Sequence, residues 1–388
     1  MKVGIFTDTF LPQVNGIVSA TVNLAKRLAD RGHEVHIIAP RLEKRNLLRH
    51  PGVHVKRIPG IKAGFYDGFK LTPFLNPVLY RYIWNKDIDV FHSQTPMSLG
   101  FETLILGKFL RKPVIGTFHA FFADKEYLKH VGLDNNVFEK LAWSYATFFY
   151  NMPTLVTAPS AATKRELIRQ GCKTNIEVIS NGIDMTIFDN RKKEDIRKKY
   201  GRGGPMMLYF GRIAHEKNHI FLMEVMKEVF RKEPSATLLM VGGGPQEKEI
   251  EDRARELGIS DNVHFLGMIE HKRLIRSGIL GACEIFVTAS KTENQPMTIL
   301  EAQANGIVCI GPDARGIPDL ITHDRNGLLV EPDDKEGFVN SILSVIQNAE
   351  YRDRLRMATL EDIKQHDIER VVDRWEEVYA EAIELNKK

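Results

Sequence analysis

Two glutamates eight residues apart are the first candidates for chemistry in this sequence. Glu293 and Glu301 lie within residues 290–306, which follow the apolar run 285–288. That run predicts a buried strand, and the apolar periodicity after it predicts a helix that Asn305-Gly306 would end. The two carboxylates would therefore flank a turn between a strand and a helix.

The position and spacing of these carboxylates suit a nucleotide-sugar ligand. In an open α/β sheet, ligands bind at the carboxyl ends of the strands, and the free N–H groups that begin a helix favour an anion. A carboxylate suits neutral hydroxyl groups better than phosphate, because it accepts hydrogen bonds. Eight residues, part loop and part helix, span at least about 12 Å at helical rise, which reaches from one sugar of a nucleotide-sugar diphosphate to the other.

A second loop supplies two cations. Arg212 and Lys217 lie within residues 211–218, directly after the apolar run 207–210 that predicts another strand. Arginine presents a planar fork and lysine a point charge, so together they can neutralise a diphosphate. The spacing Arg-x4-Lys alone is also typical of a solvated surface, and its functional interpretation depends on the neighbouring motifs.

Glycines and one histidine follow other predicted strands. Gly242 and Gly243 follow an apolar run, and the missing side chain of a glycine lets backbone approach a ligand closely. Gly16 lies in an Asn-Gly turn at the start of a predicted helix, where the helix N–H groups favour an anion. His119 directly follows the strand predicted over residues 114–118, so it is expected to face the ligand side of the sheet.

Taken in order along the chain, these motifs resemble the retaining family 4 glycosyltransferases of the GT-B fold. The resemblance covers almost the whole chain. The motifs that carry it are Asn15-Gly16, His119, Asn181-Gly182-Ile183-Asp184, Arg212 with Lys217, the Gly-rich loop, and Glu293 with Glu301. The resemblance implies transfer of a hexose from a nucleotide-sugar donor with retention of configuration and without a metal or another cofactor.

The resemblance also implies a role for each site residue. Glu293 would meet the transferred hexose and Glu301 the nucleotide ribose, the two cations would stabilise the leaving diphosphate, and His119 would position the sugar. The implied catalytic residues are His119, Arg212, Lys217 and Glu293. The implied donor-binding residues are Gly16, Gly242, Gly243, Met268, Ile269, Asn294, Gln295, Pro296, Met297, Thr298 and Glu301. Many members of the family carry Phe-Gly where this chain has Asn294-Gln295, a departure that concerns the preferred hexose more than the activity.

Alternating strand and helix patterns predict an α/β protein of the GT-B type, with two doubly wound Rossmann-like domains facing a central cleft. Residues 1–184 are expected to form the N-terminal acceptor domain, and residues 185–365 the C-terminal nucleotide-sugar donor domain. Residues 366–388 are expected to form a helix that crosses back to the first domain. The charged and glycine-rich passage 191–205 is typical of a domain junction.

Composition excludes several classes of protein. The 388 residues, 43% of them hydrophobic, can bury sizeable cores, and 54 basic against 50 acidic residues do not by themselves indicate nucleic-acid binding. The three cysteines have neither disulfide nor zinc spacing, which indicates a reducing compartment. The sequence shows no signal peptide and no run of 18 apolar residues, so a cytoplasmic protein is expected.

Two other kinds of site are disfavoured. The first strand-helix-strand unit lacks the Gly-x-Gly-x-x-Gly fingerprint, and Ala39 stands where a dinucleotide-binding protein has an acidic residue. Asp87-Ile88-Asp89 matches the D-x-D pattern of metal-dependent glycosyltransferases, but it precedes the strand predicted over residues 90–92, at the end opposite the ligand side. We therefore interpret the two aspartates as a strand entry and expect no metal site.

The acceptor is indicated only by the first half of the chain. Residues 41–50 mix cations with leucines, and residues 65–84 interleave aromatic side chains with Lys70 and Arg81. Such a mixture suits an anionic membrane interface, although core aromatics beside ordinary surface lysines would give the same pattern. The sequence most resembles bacterial diacylglycerol glucosyltransferases and related glycolipid enzymes in residues 6–16, in Thr117-Phe118-His119 and in the aromatic stretch that follows.

The leading expectation is therefore a peripheral protein on the inner face of the cell membrane. It would move glucose or a similar hexose from a UDP-sugar to a lipid acceptor such as diacylglycerol. The same chemistry on a soluble sugar or cell-wall acceptor is the alternative. A catalytically silent sugar-nucleotide-binding protein of the same fold is the alternative of another class, and the presence of Glu293, Glu301, Arg212, Lys217 and His119 argues against it.

Overall fold

The chain folds as two compact α/β units. The computed structural model describes residues 1–13, 15–41, 48–62, 70–119 and 135–387. Unit 1 comprises Met1–Gly182 and Ile368–Lys388, and unit 2 comprises Ile183–Asp367. Each unit is built on one mostly buried parallel sheet, of seven strands in unit 1 and six in unit 2. The prediction of two doubly wound Rossmann-like domains is confirmed.

Unit 1 alternates strands and helices along most of its length. Its strand order is β3-β2-β1-β6-β7-β8-β9, so the order reverses between β1 and β6. The small pair β4-β5 is antiparallel and separate. The elements are β1 Lys2–Phe6, α1 Gly16–Asp30, β2 Glu34–Pro40, β3 Val53–Ile58, β4 Ile61–Lys62, β5 Lys70–Leu71, α2 Pro77–Lys86, β6 Val90–Ser93, α3 Ser98–Leu110, β7 Val114–Thr117, α4 Asn136–Tyr150, β8 Leu155–Ala158, α5 Ala161–Arg169 and β9 Ile176–Val178.

Alternating side chains along the strands of unit 1 separate two layers of helices. Val3 and Ile5 of β1 pack with α1. Phe6, which points to the other face of the sheet, packs with α2 and α3. Phe118, directly after β7, and Val156 of β8 pack with α4. Helices α2, α3 and α4 therefore cover one face of the sheet, and α1 covers part of the other.

Unit 2 repeats the same architecture with the strand order β12-β11-β10-β13-β14-β15. This is the order 3-2-1-4-5-6 of a dinucleotide-type fold, whose ligand site lies where the order reverses, here between β10 and β13. Its elements are α6 Lys193–Tyr200, β10 Met206–Phe210, α7 His219–Lys232, β11 Thr237–Val241, α8 Glu247–Glu256, β12 Val263–Phe265, α9 His271–Leu274, α10 Ile279–Ala282, β13 Ile285–Val287, α11 Met297–Ala304, β14 Val308–Pro312, β15 Gly327–Val330, α12 Lys335–Gln347 and α13 Ala349–Asp362, with 3-10 turns at Met185–Ile187, His215–Lys217 and Ile363–His366.

The last helix, α14 Ile368–Leu385, packs on unit 1 and completes its second helix layer. Its buried residues include Trp375 and Tyr379, which belong to the same core as α1. On the outer side of the contact, the Arg31 guanidinium donates to Asp373 at 2.5 Å and to Glu376 at 2.9 Å. The helix is thus held to unit 1 by apolar packing and by a cluster of ion pairs at the end of α1.

Candidate active site

The two loops at the reversal point of unit 2 bring together two of the predicted site residues, Lys217 and Glu293. Strands β10 and β13 are neighbours, with Leu208 opposite Phe286, so the loops that follow them emerge side by side. The Lys217 ammonium, on the first loop, donates to Glu293 Oε1 on the second at 2.5 Å. Both side chains are about four-fifths buried, with 21% and 18% of their surface exposed. A cation and a carboxylate 76 positions apart in sequence therefore meet at the ligand end of the sheet.

A hydrogen bond from a buried side chain holds the backbone of the loop after β10. The buried Tyr209 hydroxyl donates to the backbone oxygen of Arg212 at 3.0 Å. Burial, and secondarily the nearby Glu293 and Glu216 carboxylates, raise the pKa of Tyr209 well above its ordinary value, so the hydroxyl keeps its proton. The loop then makes a 3-10 turn and enters α7 through Asn218, whose φ of 55° is left-handed. These constraints fix the backbone between the two predicted cations.

Arg212 is the more accessible of the two cations. Half of its side chain is exposed, and its guanidinium lies 3.6 Å from Glu216 Oε1, one helical turn further along the loop. A guanidinium carries five N–H donors in a planar fork, a geometry that matches the oxygens of a phosphate. The loop thus offers one half-exposed guanidinium and one mostly buried ammonium.

Glycines let the loops of unit 2 pack backbone against backbone. Gly242, with φ of +146°, lies so close to Gly211 that a Cβ would stand 1.8 Å from the Gly211 oxygen. Gly316, in the loop after β14, donates its backbone N–H to the backbone oxygen of Glu293 at 2.9 Å. A Cβ at Gly316 would stand 1.6 Å from the Asn294 oxygen. The backbone of Glu293 is therefore positioned by a close contact that only glycine permits.

Glu301, the second predicted carboxylate, has a histidine partner. Its side chain is 8% exposed, and its Oε1 lies 3.0 Å from Nε2 of His271 in α9. The hydrogen bond to Glu301 raises the pKa of His271 above its ordinary value, because the carboxylate favours the charged imidazole. The second Glu301 oxygen remains an acceptor for a ligand hydroxyl.

The predicted donor-binding residues around Glu301 lie at the start of α11. Pro296 precedes the helix, and no side chain in the described structure caps its first turn. The N–H groups at its start are therefore suited to an anion. Asn294 and Gln295 are buried. Thr298 lies against Gly211, as shown by the 3.8 Å between its methyl carbon and a Cβ built there.

The remaining predicted residues of unit 2 differ in exposure. Met268 is 81% exposed, beside Gly243, and Ile269 packs against the core of the unit. Gly243 has room for a Cβ, whose nearest neighbours would be Glu247 at 3.4 Å and Met268 at 3.6 Å. Unlike Gly242, Gly243 is therefore not required by packing within the protein itself.

Unit 1 holds the other two predicted residues, Gly16 at the start of α1 and His119 two residues after the end of β7. Gly16 begins α1 behind the cap Asn15, whose side chain accepts from the Val18 N–H at 3.0 Å, and no atom of the described residues lies within 4 Å of a Cβ built at Gly16. His119 is half-buried, and its Nε2 lies 2.5 Å from Gln94 Oε1. Burial lowers the pKa of His119 to about 4, so its ring is neutral near pH 7.

Three residues that contribute to these sites could not be found from the sequence motifs. His271 and Gly316 contact Glu301 and the Glu293 segment, and Gln94 contacts His119. Each lies on a different strand-end loop or helix from its partner, so only the strand order brings the two together. The glycine in Ala314-Arg315-Gly316 was the one sequence signal, because an isolated loop glycine can indicate a close backbone approach.

The aspartates of the D-x-D pattern make local contacts in unit 1. Asp89 Oδ2 accepts from the Lys2 N–H at 2.7 Å, and Asp87 pairs with Lys112 at 3.2 Å beyond the end of α2. Both contacts lie at the amino end of β6. Within the described ranges, no group of three His, Cys, Asp or Glu side chains is arranged to hold a metal ion. The absence of a metal requirement stays a prediction.

The interpretation of residues 65–84 as a surface is correct only in part. Phe74 and Trp84 are exposed by 57% and 67%. The Tyr80 hydroxyl instead donates to the buried Glu102 at 2.9 Å, and the Tyr82 hydroxyl lies 2.8 Å from Nδ1 of the buried His36. Lys44, Arg45 and Phe65 lie outside the described residues. In the part of the chain that the structure describes, no helix is both long and apolar enough to span a membrane.

Comparisons with known proteins agree with this architecture. The family model "Glycosyltransferase Family 4" matches residues 14–186, and "Glycosyl transferases group 1" matches residues 191–361. An alpha-monoglucosyldiacylglycerol synthase of Streptococcus pneumoniae is 26% identical over 85% of this chain and 75% of its own. A GDP-mannose-dependent alpha-mannosyltransferase of Mycobacterium tuberculosis is 28% identical over 85% of this chain and 84% of its own. The crystal structure of Anabaena Alr3699/HepE in complex with UDP is similar in fold, with a TM-score of 0.79, 18% identity, and coverage of 98% of this chain and 100% of that one.

Proposed function

Because the chain belongs to the family 4 glycosyltransferases of the GT-B fold, we propose that it transfers glucose from a UDP-sugar to a lipid acceptor such as diacylglycerol, with retention of configuration. Its general activity, hexosyl transfer from a nucleotide-sugar donor, is that of its named relatives. The observation that carries the proposal in this molecule is the Lys217–Glu293 pair at the reversal point of the unit 2 sheet.

The donor is proposed to lie over the loops of unit 2. Lys217 and Arg212 would neutralise the diphosphate, and the negative charge that grows on it as the glycosidic bond breaks makes this stabilisation larger in the transition state than in the ground state. Glu293 would accept hydrogen bonds from hexose hydroxyls, and Glu301 from the ribose. His119 of unit 1 would position the transferred sugar.

Retention is proposed on chemical grounds. UDP-glucose carries its glucose in α-linkage, and the two relatives described above are named for α-linked products. In a mechanism on one face of the sugar, the departing diphosphate takes the proton of the acceptor hydroxyl as the C1–O bond breaks and the new bond forms. The chain would then supply charge stabilisation and orientation, and the substrate itself would supply the base.

A lipid acceptor is supported by one layer of unit 1. The outer side of helices α2, α3 and α4 exposes large apolar side chains, which we call the α2–α4 surface. Its members are Val78, Trp84, Ile105, Phe109, Val137, Leu141 and Phe148, exposed by 39% to 67%. The Trp84 and Phe109 rings lie 6.4 Å apart beside a shallow cavity of about 230 Å³ that Leu106 and Leu110 also line. Exposed apolar patches of this kind mark interaction sites.

Charge supports a membrane rather than a protein partner at this surface. Arg81, Lys108 and Lys140 are exposed on the same three helices, while Glu102 is fully buried and Glu139 half-buried. Basic side chains beside exposed aromatic ones suit an anionic lipid surface, where each cation is worth about 1 kcal/mol. The opposite layer contains α14, which is rich in glutamate and would be repelled by the same lipids. We therefore propose that unit 1 binds the membrane reversibly through the α2–α4 surface.

Donor and acceptor can be tested together. Purified protein is incubated with radiolabelled UDP-glucose or GDP-mannose, in mixed micelles that contain diacylglycerol or with soluble sugars. Label from UDP-glucose is expected in the lipid fraction, and NMR of the product is expected to show an α-linkage. Transfer only to a soluble sugar would favour the alternative acceptor, and transfer only from GDP-mannose would refute the donor. Absence of transfer to every acceptor, with nucleotide-sugar binding intact, would favour the catalytically silent alternative.

Membrane binding is tested separately by sedimentation with vesicles. Binding is expected to need anionic lipid and to weaken as salt rises, because screening shortens the reach of charge to about 8 Å at physiological ionic strength. The double variant Arg81→Glu, Lys108→Glu should release the protein, and the matched control Lys227→Glu, on an exposed position of α7 in unit 2, should not. Equal binding of the double variant and the wild type would contradict the proposed surface.

A further inference from the structure

A chain of hydrogen bonds runs from His119 through the interior of unit 1 to its last helix. His119 Nε2 lies 2.5 Å from Gln94 Oε1, and the Gln94 amide nitrogen lies 2.9 Å from Nε2 of His92. Nδ1 of His92 lies 2.8 Å from the Tyr379 hydroxyl. Gln94 is 3% exposed, and His92 and Tyr379 are fully buried. The hydrogen-bond chain therefore joins β6, the end of β7 and α14, and three of its four side chains are buried.

With the Gln94 amide oriented as in the structure, its oxygen towards His119 and its nitrogen towards His92, each hydrogen bond has a direction. The Gln94 carbonyl can only accept, so His119 Nε2 must carry a proton and donate it. The Gln94 NH₂ can only donate, so Nε2 of His92 accepts, and Nδ1–H of His92 donates to the Tyr379 oxygen. Nε2 of His92 also has the Thr117 hydroxyl as a donor at 2.6 Å. Because Nε2 of His92 has one lone pair, the Gln94 amide and the Thr117 hydroxyl share it as donors, and the Thr117 hydroxyl also contacts the Thr157 hydroxyl at 2.6 Å.

The described side chains of this network are neutral near pH 7. Burial lowers the pKa of His119 to about 4 and the pKa of His92 to about 3. Among the residues that the structure describes, the other titratable groups that face the network are Tyr379 of α14 and Tyr150 of α4, whose hydroxyl donates to the backbone oxygen of Thr117 at 3.0 Å. Burial raises the pKa of both tyrosines well above their ordinary value, so neither is charged near neutral pH. A neutral His119 with a proton on Nε2 has an unprotonated Nδ1.

We propose that Gln94 is a positioning residue that holds His119 in its Nε2–H tautomer and so presents Nδ1 as a hydrogen-bond acceptor for a hydroxyl of the transferred sugar. This inference rests on the proposed function for the sugar contact, but the tautomer is a property of the free protein. An amide is suited to this task because it orients the ring without adding charge. A carboxylate at the same place would also accept from Nε2–H of His119, but it would favour the imidazolium, in which Nδ1 donates instead of accepting, and it would replace the amide donor to His92 by an acceptor.

The decisive variant is therefore Gln94→Glu. Its carboxylate accepts the Nε2–H bond and raises the pKa of His119 from about 4 towards or beyond the ordinary value of about 6.5. At high pH the ring is neutral with the wild-type tautomer, and activity should approach that of the wild type. As the pH falls through the raised pKa, kcat/KM should fall by about tenfold per pH unit, as for a single protonation. The wild type should show no such fall between pH 6 and 8.

Two further variants separate positioning from a purely structural role. Gln94→Met keeps the length of the side chain without a hydrogen bond, so its kcat/KM should be reduced at every pH, with no recovery at high pH. Gln347→Glu places the same new charge on an exposed position of unit 2 and should leave the profile unchanged. Recovery of Gln94→Glu, but not of Gln94→Met, at high pH is a result that a packing defect does not produce.

The tautomer is measured directly by NMR of protein with ¹⁵N-labelled histidine and no substrate. The His119 signals are expected to show a protonated Nε2 and an unprotonated Nδ1 in the wild type, and a raised pKa in Gln94→Glu. A protonated Nδ1 in the wild type, or an unchanged His119 pKa in Gln94→Glu, would overturn the inference. If the NMR result is as expected but His119→Ala retains full transfer, the hydrogen bond stands and the proposed role of His119 in binding sugar fails.

Discussion

Lys217 provides the sharpest test of the site, because its structural and catalytic contributions differ in size. In the free protein it pairs with Glu293, and in the reaction it is proposed to stabilise the leaving diphosphate. Lys217→Met removes the charge and keeps most of the side-chain volume. The variant therefore reports the loss of a cation without opening a large cavity.

The two effects can be bounded from the burial of the pair. An exposed ion pair contributes about 1 kcal/mol or less, and breaking a fully buried one costs about 3–5 kcal/mol. The Lys217 and Glu293 side chains are 21% and 18% exposed, so the free energy of unfolding should fall by an amount between these limits. Loss of one preorganised group that stabilises transition-state charge costs about 2.7–4 kcal/mol, which lowers kcat about 100- to 1,000-fold. An assay well below the melting temperature measures the second effect on folded protein.

Release of the nucleoside diphosphate is measured with saturating acceptor, and folding is checked by thermal melting. The matched control is Lys291→Met. Lys291 lies in the same loop as Glu293, and the substitution breaks its ion pair of 2.8 Å with Asp333. That control should keep turnover within about twofold of the wild type, since a surface pair contributes little. If Lys217→Met, folded at the assay temperature, kept more than a tenth of wild-type turnover, Lys217 would have no part in stabilising the leaving group.

Three further predictions concern the scaffold, the ion pair of Glu301 and the metal. Gly316→Ala should cost about 1–3 kcal/mol of stability and should also lower transfer about 100-fold, since a shift of about 1 Å in the Glu293 segment is enough. Gly258→Ala, at φ of +70° where no described atom lies within 4 Å of the new Cβ, should lose stability without losing activity. His271→Gln should lower the melting temperature more at pH 5.5 than at pH 8.5. The pKa of His271 is higher in the folded protein than in the unfolded chain. Its contribution to the free energy of unfolding is therefore fully present below the pKa of the unfolded state and is lost as the pH rises through the pKa of the folded state. An equal drop in melting temperature at pH 5.5 and pH 8.5 would contradict the His271–Glu301 pair. Transfer should survive EDTA, and loss of activity that Mn²⁺ restores would show a metal requirement.

The sheets could be predicted from sequence because their strands are buried on both faces. Every residue of β10 Met206–Phe210 and β11 Thr237–Val241 is buried, so each strand appears in the sequence as an unbroken or nearly unbroken apolar run. Helix α14 Ile368–Leu385 could be predicted for a different reason, because its apolar residues follow a helical period. Patterns that repeat along one element are visible without knowledge of its neighbours.

Contacts between elements could not be predicted in the same way. The motifs contained Lys217 and Glu293, but only the pairing of β10 with β13 shows that they meet. His271 has no pattern that connects it with Glu301, and both Tyr80 and Trp84 fit an aromatic surface equally well in sequence. In the structure Tyr80 reaches the buried Glu102, whereas Trp84 remains exposed. The direction of a side chain depends on the packing of its helix, which composition does not determine.

The Lys217–Glu293 pair also indicates how the free protein keeps its site ready. Two opposite charges that are four-fifths buried would each lose hydration if they stood alone, and their contact offsets part of that loss. A donor would then offer a diphosphate to the cation and hydroxyl groups to the carboxylate, so each partner of the pair would gain a ligand contact as the direct contact weakens. Since Gly316 fixes the backbone of Glu293 and Tyr209 fixes the loop that leads to Lys217, this exchange needs only side-chain movement. A site that reorganises so little loses little conformational entropy on binding, which leaves more of the binding energy for the transition state.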